Sequence, residues 1–193
     1  MANYFISDLH FGHKNVLSFD DRPWTNIEDH DNFIIQNWND TVSYEDDVYI
    51  LGDVSWHNAT KTNEIFKQLN GTKHLIIGNH DGKLLKNREF QQQFQEICYY
   101  KELPYVENKI IVLCHYPIPC FNKHYYGSFH LYGHVHSGFE ENMMRNIRRQ
   151  MQDLYDVPCQ MYNVGIMMPW MEYHPQTLED IISSASIYID STL

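Results

Sequence analysis

The chain has 193 residues, 43% hydrophobic and 15% aromatic, which sets aside a disordered or low-complexity protein and fits one globular domain over 1–193. Lys plus Arg is 14 and Asp plus Glu is 25, a formal net charge of −11, which disfavours nucleic acid as a partner because polyanion binding needs neutralising Lys and Arg. No apolar run approaches the roughly 18 residues needed to cross a bilayer. The start, Met1 to Ile6, is too short for a signal h-region, and Cys98, Cys114, Cys120 and Cys159 show no C-x-x-C spacing, so a reduced, cytoplasmic protein with no membrane partner is expected.

Tyr4-Phe5-Ile6 reads as a first buried strand leading to Asp8 and His10. Ile27 to Val42 carries Ile27, Ile34, Ile35, Trp38 and Val42 at roughly helical spacing. Val48 to Leu51 is a strand stopped by Gly52. Thr62, Ile65, Phe66 and Leu69 mark a second helix, closed by Asn70-Gly71. His74 to Ile77 is the next strand, stopped by Gly78. This alternation predicts an α/β layered fold with partly parallel strands. Leu103 to Val106 and Ile110 to Leu113 then read as a hairpin, and Phe129 to Tyr132 and Met161 to Val164 as strands. Glu140 to Gln152 is the most polar stretch, a mobile loop or a surface helix. Thr177 can N-cap a last helix whose apolar face is Leu178, Ile181 and Ile182.

Five segments along this frame carry metal-ligand residue types: Asp8-Leu9-His10, Gly52-Asp53, Gly78-Asn79-His80-Asp81, Cys114-His115 and Gly133-His134-Val135-His136. Each follows a strand-like run. Side chains at strand ends of open α/β sheets converge on one crevice, and the glycines at 52, 78 and 133 permit sharp turns and close approach there. Carboxylate, imidazole and amide ligands without thiolate suit Mn²⁺, Fe or Zn²⁺. Two such metals about 3.5–4 Å apart can hold a bridging hydroxide and clamp two phosphate oxygens. Bound metals also offset the negative net charge locally, so an anionic substrate is compatible with an acidic chain.

In these five blocks the chain resembles the calcineurin-like metallophosphoesterase superfamily, whose pattern is D-x-H, G-D, G-N-H-[D/E], H and G-H-x-H. Three further stretches, His10 to Asn15, Arg22-Pro23-Trp24 and Asn163-Val164-Gly165, resemble a subgroup of small bacterial and phage phosphoesterases. The resemblance implies a four-layer α/β/β/α sandwich of two mixed β-sheets flanked by helices. It implies two divalent metal ions, with Mn first among the three, and attack by a metal-bridging hydroxide on a small phosphorylated substrate, nucleotides included. Asp8, His10, Asp53 and His136 would hold one metal; Asp53, Asn79, His115 and His134 would hold the other, with Asp53 bridging. His80 would be the general acid or transition-state stabiliser, and Asp81 would orient the His80 ring or a ligand. Rival readings are a nuclease, with Arg145, Arg148 and Arg149 as its handle, and a non-catalytic metal-binding scaffold.

Some residues keep two readings. His13 contacts phosphate or is a satisfied loop histidine. Arg22 is a bidentate phosphate donor or a surface ion-pair partner. His57 reads as surface loop. The aromatic segment Tyr116 to Phe129 is a lid over a flat leaving group or ordinary core. A lean towards phosphodiesters follows from the ligand blocks, none of which contains Arg or Lys.

Overall fold

The computed structural model of the chain describes residues 1–190. Strands β1 (Asn3–Ile6), β2 (Asp47–Ile50), β3 (Thr72–Ile76) and β4 (Glu96–Cys98) form an all-parallel sheet in that order. Strands β5 (Tyr100–Pro104), β6 (Ile110–Cys114), β7 (Phe129–Tyr132) and β8 (Gln160–Asn163) form the second. There β5 runs antiparallel to β6, and the other pairs are parallel. Helices α1 (Val16–Phe19), α2 (Ile27–Thr41), α3 (Ala59–Phe66), α4 (Arg88–Gln91), α5 (Phe139–Tyr155) and α6 (Leu178–Asp190) flank the sheets.

The two sheets share one core. Phe5, Ile6, Ile50 and Leu75 from the first pack in one cluster with Leu103, Ile111, Leu113, Phe129 and Leu131 from the second. Strand β6 shows the period of two: Ile111 and Leu113 enter that cluster, while Ile110 and Val112 enter a second one with Tyr132 and Met161. Met144 and Met151 of α5 cover this outer cluster. On the first sheet's side, α2 contributes Ile34 and Trp38 and α3 contributes Ile65 and Phe66, all buried. Asn26 and Asn58 start these helices by accepting from the backbone N–H groups of Asp29 and Lys61.

The hairpin expected around Glu107 is the β5–β6 pair, with Leu103 opposite Ile111. Of the two readings for Glu140 to Gln152, the helix holds, as part of α5. The last helix starts as expected, with Thr177 Oγ1 accepting from the Asp180 N–H at 3.2 Å. Helix α3 begins three residues ahead of Thr62, because Asn58 caps it. Among the described residues no helix is long and apolar enough to cross a membrane, and all four cysteines are free thiols.

Candidate metal centre

The five blocks leave the carboxyl ends of five strands. Asp8 and His10 follow β1, Asp53 follows β2, Asn79 and His80 follow β3, His115 follows β6, and His134 and His136 follow β7. Gly52 and Gly78 let the turns after β2 and β3 touch; a Cβ on Gly78 would collide with Asp53 Oδ1. One on Gly133 would strike Ser7 Oγ.

Five of the seven expected ligands have left-handed backbone: Asp8 (φ 55°), His10 (53°), Asp53 (55°), His134 (71°) and His136 (49°). None is a glycine, so each carries strain of roughly 1–3 kcal/mol that the surrounding contacts must hold in place. Such strain concentrates where side chains are aimed at a common point.

They are so aimed. Asp53 Oδ2 lies 4.0 Å from His10 Nε2, and Asp53 Oδ1 lies 3.7 Å from His115 Nε2. Asp8 Oδ1 lies 3.8 Å from His10 Nε2 and 3.9 Å from His136 Nε2. These separations are too long for hydrogen bonds. Ligand atoms of Asp8, His10 and His136, and again of Asp8, Asp53 and His115, lie within 4.8 Å of one another. Asp8 belongs to both clusters, a place expected for Asp53 alone. Asn79 Oδ1 lies 2.9 Å from both His115 Nε2 and His134 Nδ1.

The donor set fits cations on two counts. His10 Nε2 is buried and has no hydrogen-bond partner, a costly state for a polar atom unless a ligand uses it. His115 Nδ1 donates to the Leu51 carbonyl at 2.6 Å, which leaves Nε2 as a lone pair facing the oxygens of Asn79 and Asp53. Lone pairs converging on oxygens call for a positive charge between them.

Partners behind the ligands fix their tautomers, as is usual around metal-binding histidines. His136 Nδ1 donates to Asp20 at 2.9 Å. His10 Nδ1 meets His13 Nδ1 at 3.0 Å. The Trp56 indole lies flat on His13, 4.1 Å away at 2°, and on His10, 4.5 Å away at 21°. Asn163 Nδ2 donates to the His136 carbonyl at 2.8 Å, and its Oδ1 accepts from the Gly165 N–H.

Arg22 does not reach the open face. It is 3% exposed, and all five of its N–H donors are occupied. It donates to the Asp8 and Leu9 carbonyls, to His30 Nε2, and through Nε and Nη2 to Asp20 Oδ2. Burial beside two carbonyls overrides the phosphate-donor reading; the ion-pair reading holds, with Asp20 as partner, but the pair is buried and not on the surface. Of the two readings for Asp81, the contact to a ligand holds: its carboxylate accepts from the backbone N–H groups of Asp53, Val54 and Gly78 and ties together the turns after β2 and β3. His57 is no free loop residue, since Nε2 donates to Asp31 Oδ2, and Asp31 also takes the N–H groups of Gly12 and His30 Nδ1. His13 is half-buried behind His10. His80 stands at the mouth, its N–H donating to Asp53 Oδ1 at 3.0 Å and its Nε2 4.0 Å from Asp53 Oδ2.

The segment from Tyr116 to Phe129 divides. Phe121 and Phe129 are core; Tyr125 and Tyr126 are exposed; Tyr116 is 45% exposed and edges onto His134 and His115. Asp20 and Trp56 escape sequence reasoning. Asp20 sits beside Asp21 with nothing to rank the two, and Trp56 lies three residues past Asp53 with no ligand-type spacing.

The charges reflect crowding. Burial, with Asp8 and Asp81 nearby, pushes Asp53 up to about 6 despite His115 and the His80 N–H. Burial would raise Asp8 too, but the rings of His10, His136 and His115 hold it well below the usual carboxylate range. Burial drives His10 down to about 4 against the pull of Asp8, so its ring is neutral and ready to ligate.

Fold and site together define a mixed α/β protein with a candidate Asp/His centre for divalent metal. The chain is 30% identical over 184 residues to the uncharacterized protein MJ1445 of Methanocaldococcus jannaschii, covering 93% of this chain and 88% of that protein, and it belongs to that protein's family. The gene 66 protein of Mycobacterium phage D29 is 42% identical over 85 residues, covering 42% of this chain and 41% of that one. Its counterpart from phage L5 is 36% identical over 93 residues, 46% of this chain and 44% of that one. Among solved structures, the protein of unknown function AQ665 from Aquifex aeolicus superposes with a TM-score of 0.66 at 28% identity, covering 94% of this chain and 97% of that one. No protein-family profile matches the chain.

Proposed function

We propose that the protein is a phosphoesterase using two divalent metals, Mn²⁺ first among Mn, Fe and Zn, with the sandwich fold of calcineurin-like enzymes. The observation that carries this reading is Asp53, which turns one oxygen to the partnerless His10 Nε2 and the other to His115 Nε2. Asp8, His10 and His136 would hold one ion, Asn79, His115 and His134 the other, and Asp53 both. A bound pair supplies an electrophilic clamp for phosphate oxygens and a water whose pKa is lowered from about 15.7 to near 7. The chain supplies the rest. The Asp20 and Leu51 contacts keep the imidazole lone pairs aimed inward, and His80 waits at the open edge to protonate the leaving oxygen. The nuclease rival loses support at two of its three basic residues: Arg145 bonds Glu141 Oε1, and Arg148 donates to the Met161 carbonyl and covers the Tyr162 ring, which leaves Arg149 as the exposed one.

The test is turnover of a phosphomonoester and phosphodiester panel by metal-stripped protein to which Mn²⁺, Fe²⁺ or Zn²⁺ is returned. Silence across the panel with metal bound ends the enzyme reading. Diesters should lead. A monoester dianion favours a site with a dedicated Arg clamp, and Arg22 is spent on protein groups. Bis-nitrophenyl phosphate should be cleaved faster than the mono-nitrophenyl ester under matched metal and pH. A tenfold preference for the monoester reverses the lean.

His80→Ala keeps the backbone N–H that meets Asp53 and should retain metal and fold. Turnover of esters with poor leaving groups should fall by about 10²-fold or more, the usual scale of general acid catalysis. For a nitrophenolate, which leaves without a proton, the loss should shrink. An equal loss for both would assign His80 to phosphate binding instead.

A further inference from the structure

Trp56 occupies a place that the metal centre alone does not explain. One side of its indole covers the hydrogen-bonded His10–His13 pair, with ring centroids 4.5 and 4.1 Å away. Trp56 is nonetheless 37% exposed. What borders it at the mouth is the His80 ring, 4.6 Å away and tilted by 47°. The His80 side chain is itself 51% exposed. An indole left open beside a proton donor has a geometric consequence. A leaving-group oxygen within hydrogen-bond reach of His80, roughly 3 Å, places its first carbons against Trp56. Among the described residues no Lys or Arg lies over these rings, so the adjoining surface favours an uncharged, flat group.

We infer that Trp56 forms a leaving-group subsite beside His80, which selects phosphodiesters whose departing alcohol carries a planar ring one or two bonds from the ester oxygen. This rests on the phosphoesterase reading with His80 as acid. In the step itself the bond from phosphorus to the leaving oxygen breaks and its electron pair stays on that oxygen. His80 delivers a proton there, the oxygen of water forms the new bond to phosphorus, and the proton that water gives up passes to solvent, from which His80 is reprotonated. The ring lies on the indole throughout, so stacking contributes to substrate and transition state alike. Base-on-aromatic stacking is worth about 1–3 kcal/mol per ring, and each 1.4 kcal/mol is tenfold in affinity. Two other open aromatics lie at the centre: Tyr116 edges onto His134 and His115, and Phe19, 56% exposed, edges onto His10, His13 and His136; the ring that meets His80 is Trp56.

The experiment uses hydrolysis-resistant phosphonate analogues of benzyl methyl phosphate and cyclohexylmethyl methyl phosphate, equal in reach but only the first flat. Calorimetric affinities are compared on Mn²⁺-loaded wild type, Trp56→Phe, Trp56→Leu and Tyr116→Leu, each with metal content checked by elemental analysis. Wild type should bind the benzyl ligand about tenfold more tightly than the cyclohexyl one. Trp56→Phe should keep most of that ratio, Trp56→Leu should bring it near one, and Tyr116→Leu should leave it unchanged. Equal binding by wild type, a ratio that survives in Trp56→Leu, or a ratio lost in Tyr116→Leu overturns the subsite. A nucleoside 3′-phosphonate ester preferred over the benzyl ligand also overturns it, since a ribose would then stand where the ring is placed. The parent esters are offered for turnover in parallel. Turnover without the ratio defeats the subsite and leaves the phosphoesterase standing. The ratio without turnover of any ester defeats the enzyme reading, and the leaving-group assignment with it.

Discussion

Asp53→Asn should strip the protein of both metals, while His10→Ala should empty chiefly one site. The asymmetry follows from reach: Asp53 Oδ2 is 4.0 Å from His10 Nε2, and Oδ1 is 3.7 Å from His115 Nε2. The isosteric amide keeps one carbonyl oxygen but loses the charge and turns an N–H₂ towards one site. Losing an outer partner of a metal ligand typically weakens binding 10–100-fold, and losing a shared carboxylate should exceed that at both positions. Elemental analysis of the purified variants is decisive. Two full equivalents in Asp53→Asn would remove the bridge.

The same carboxylate sets a pH dependence. Its pKa in the metal-free fold is about 6, raised by burial and by Asp8, against about 3.9 for an unperturbed Asp. A raised carboxyl favours folding while protonated. Its contribution to the metal-free protein is therefore full below about pH 4 and is lost as pH rises through about 6. Metal needs the carboxylate, so added Mn²⁺ should raise the melting temperature more at pH 7 than at pH 5. An equal or larger gain at pH 5 would contradict the assignment.

The candidate ligands were legible because each pairs a metal-binding side chain with the end of an apolar strand, and strand ends in parallel sheets converge. The main strands and α2 were legible from the spacing of their apolar residues, even though α2 also buries His30 and Asp31 and β3 buries Lys73 and His74. Strand β4 was not; Glu96-Ile97-Cys98 has one branched apolar residue, and it is a strand because β3 offers it an edge. The left-handed backbone at Asp8, His10, Asp53, His134 and His136 was equally hidden. Sequence marks positive φ by glycine, and here tertiary contacts impose it on other residues. Trp56 and Asp20 reach the centre through neighbours remote in the chain, His80 for the first and His136 for the second. A charge read from sequence defaults to the surface, which is why Arg22 was misplaced.

Arg22→Met should therefore act on the fold and the metal, not on substrate affinity. The guanidinium is buried and holds the Asp8 and Leu9 carbonyls at 3.0 and 3.2 Å, which keeps the strained Asp8–His10 turn in place. It also neutralises Asp20, which in turn orients His136. Removing one partner of a buried pair typically costs about 3–5 kcal/mol, because the other charge is left uncompensated. For a chain of this size that corresponds to a fall of roughly 10 °C in melting temperature. Arg22→Lys should recover little, since an ammonium cannot span two carbonyls, an imidazole and a carboxylate at once. Adding Asp20→Asn to Arg22→Met should restore part of the stability by removing the stranded charge, yet leave His136 poorly held and metal binding weak. Differential scanning calorimetry on metal-free protein and metal titration on the same samples separate the two effects. A variant that melts like wild type but binds phosphate esters poorly would return Arg22 to the substrate face, against every hydrogen bond it makes.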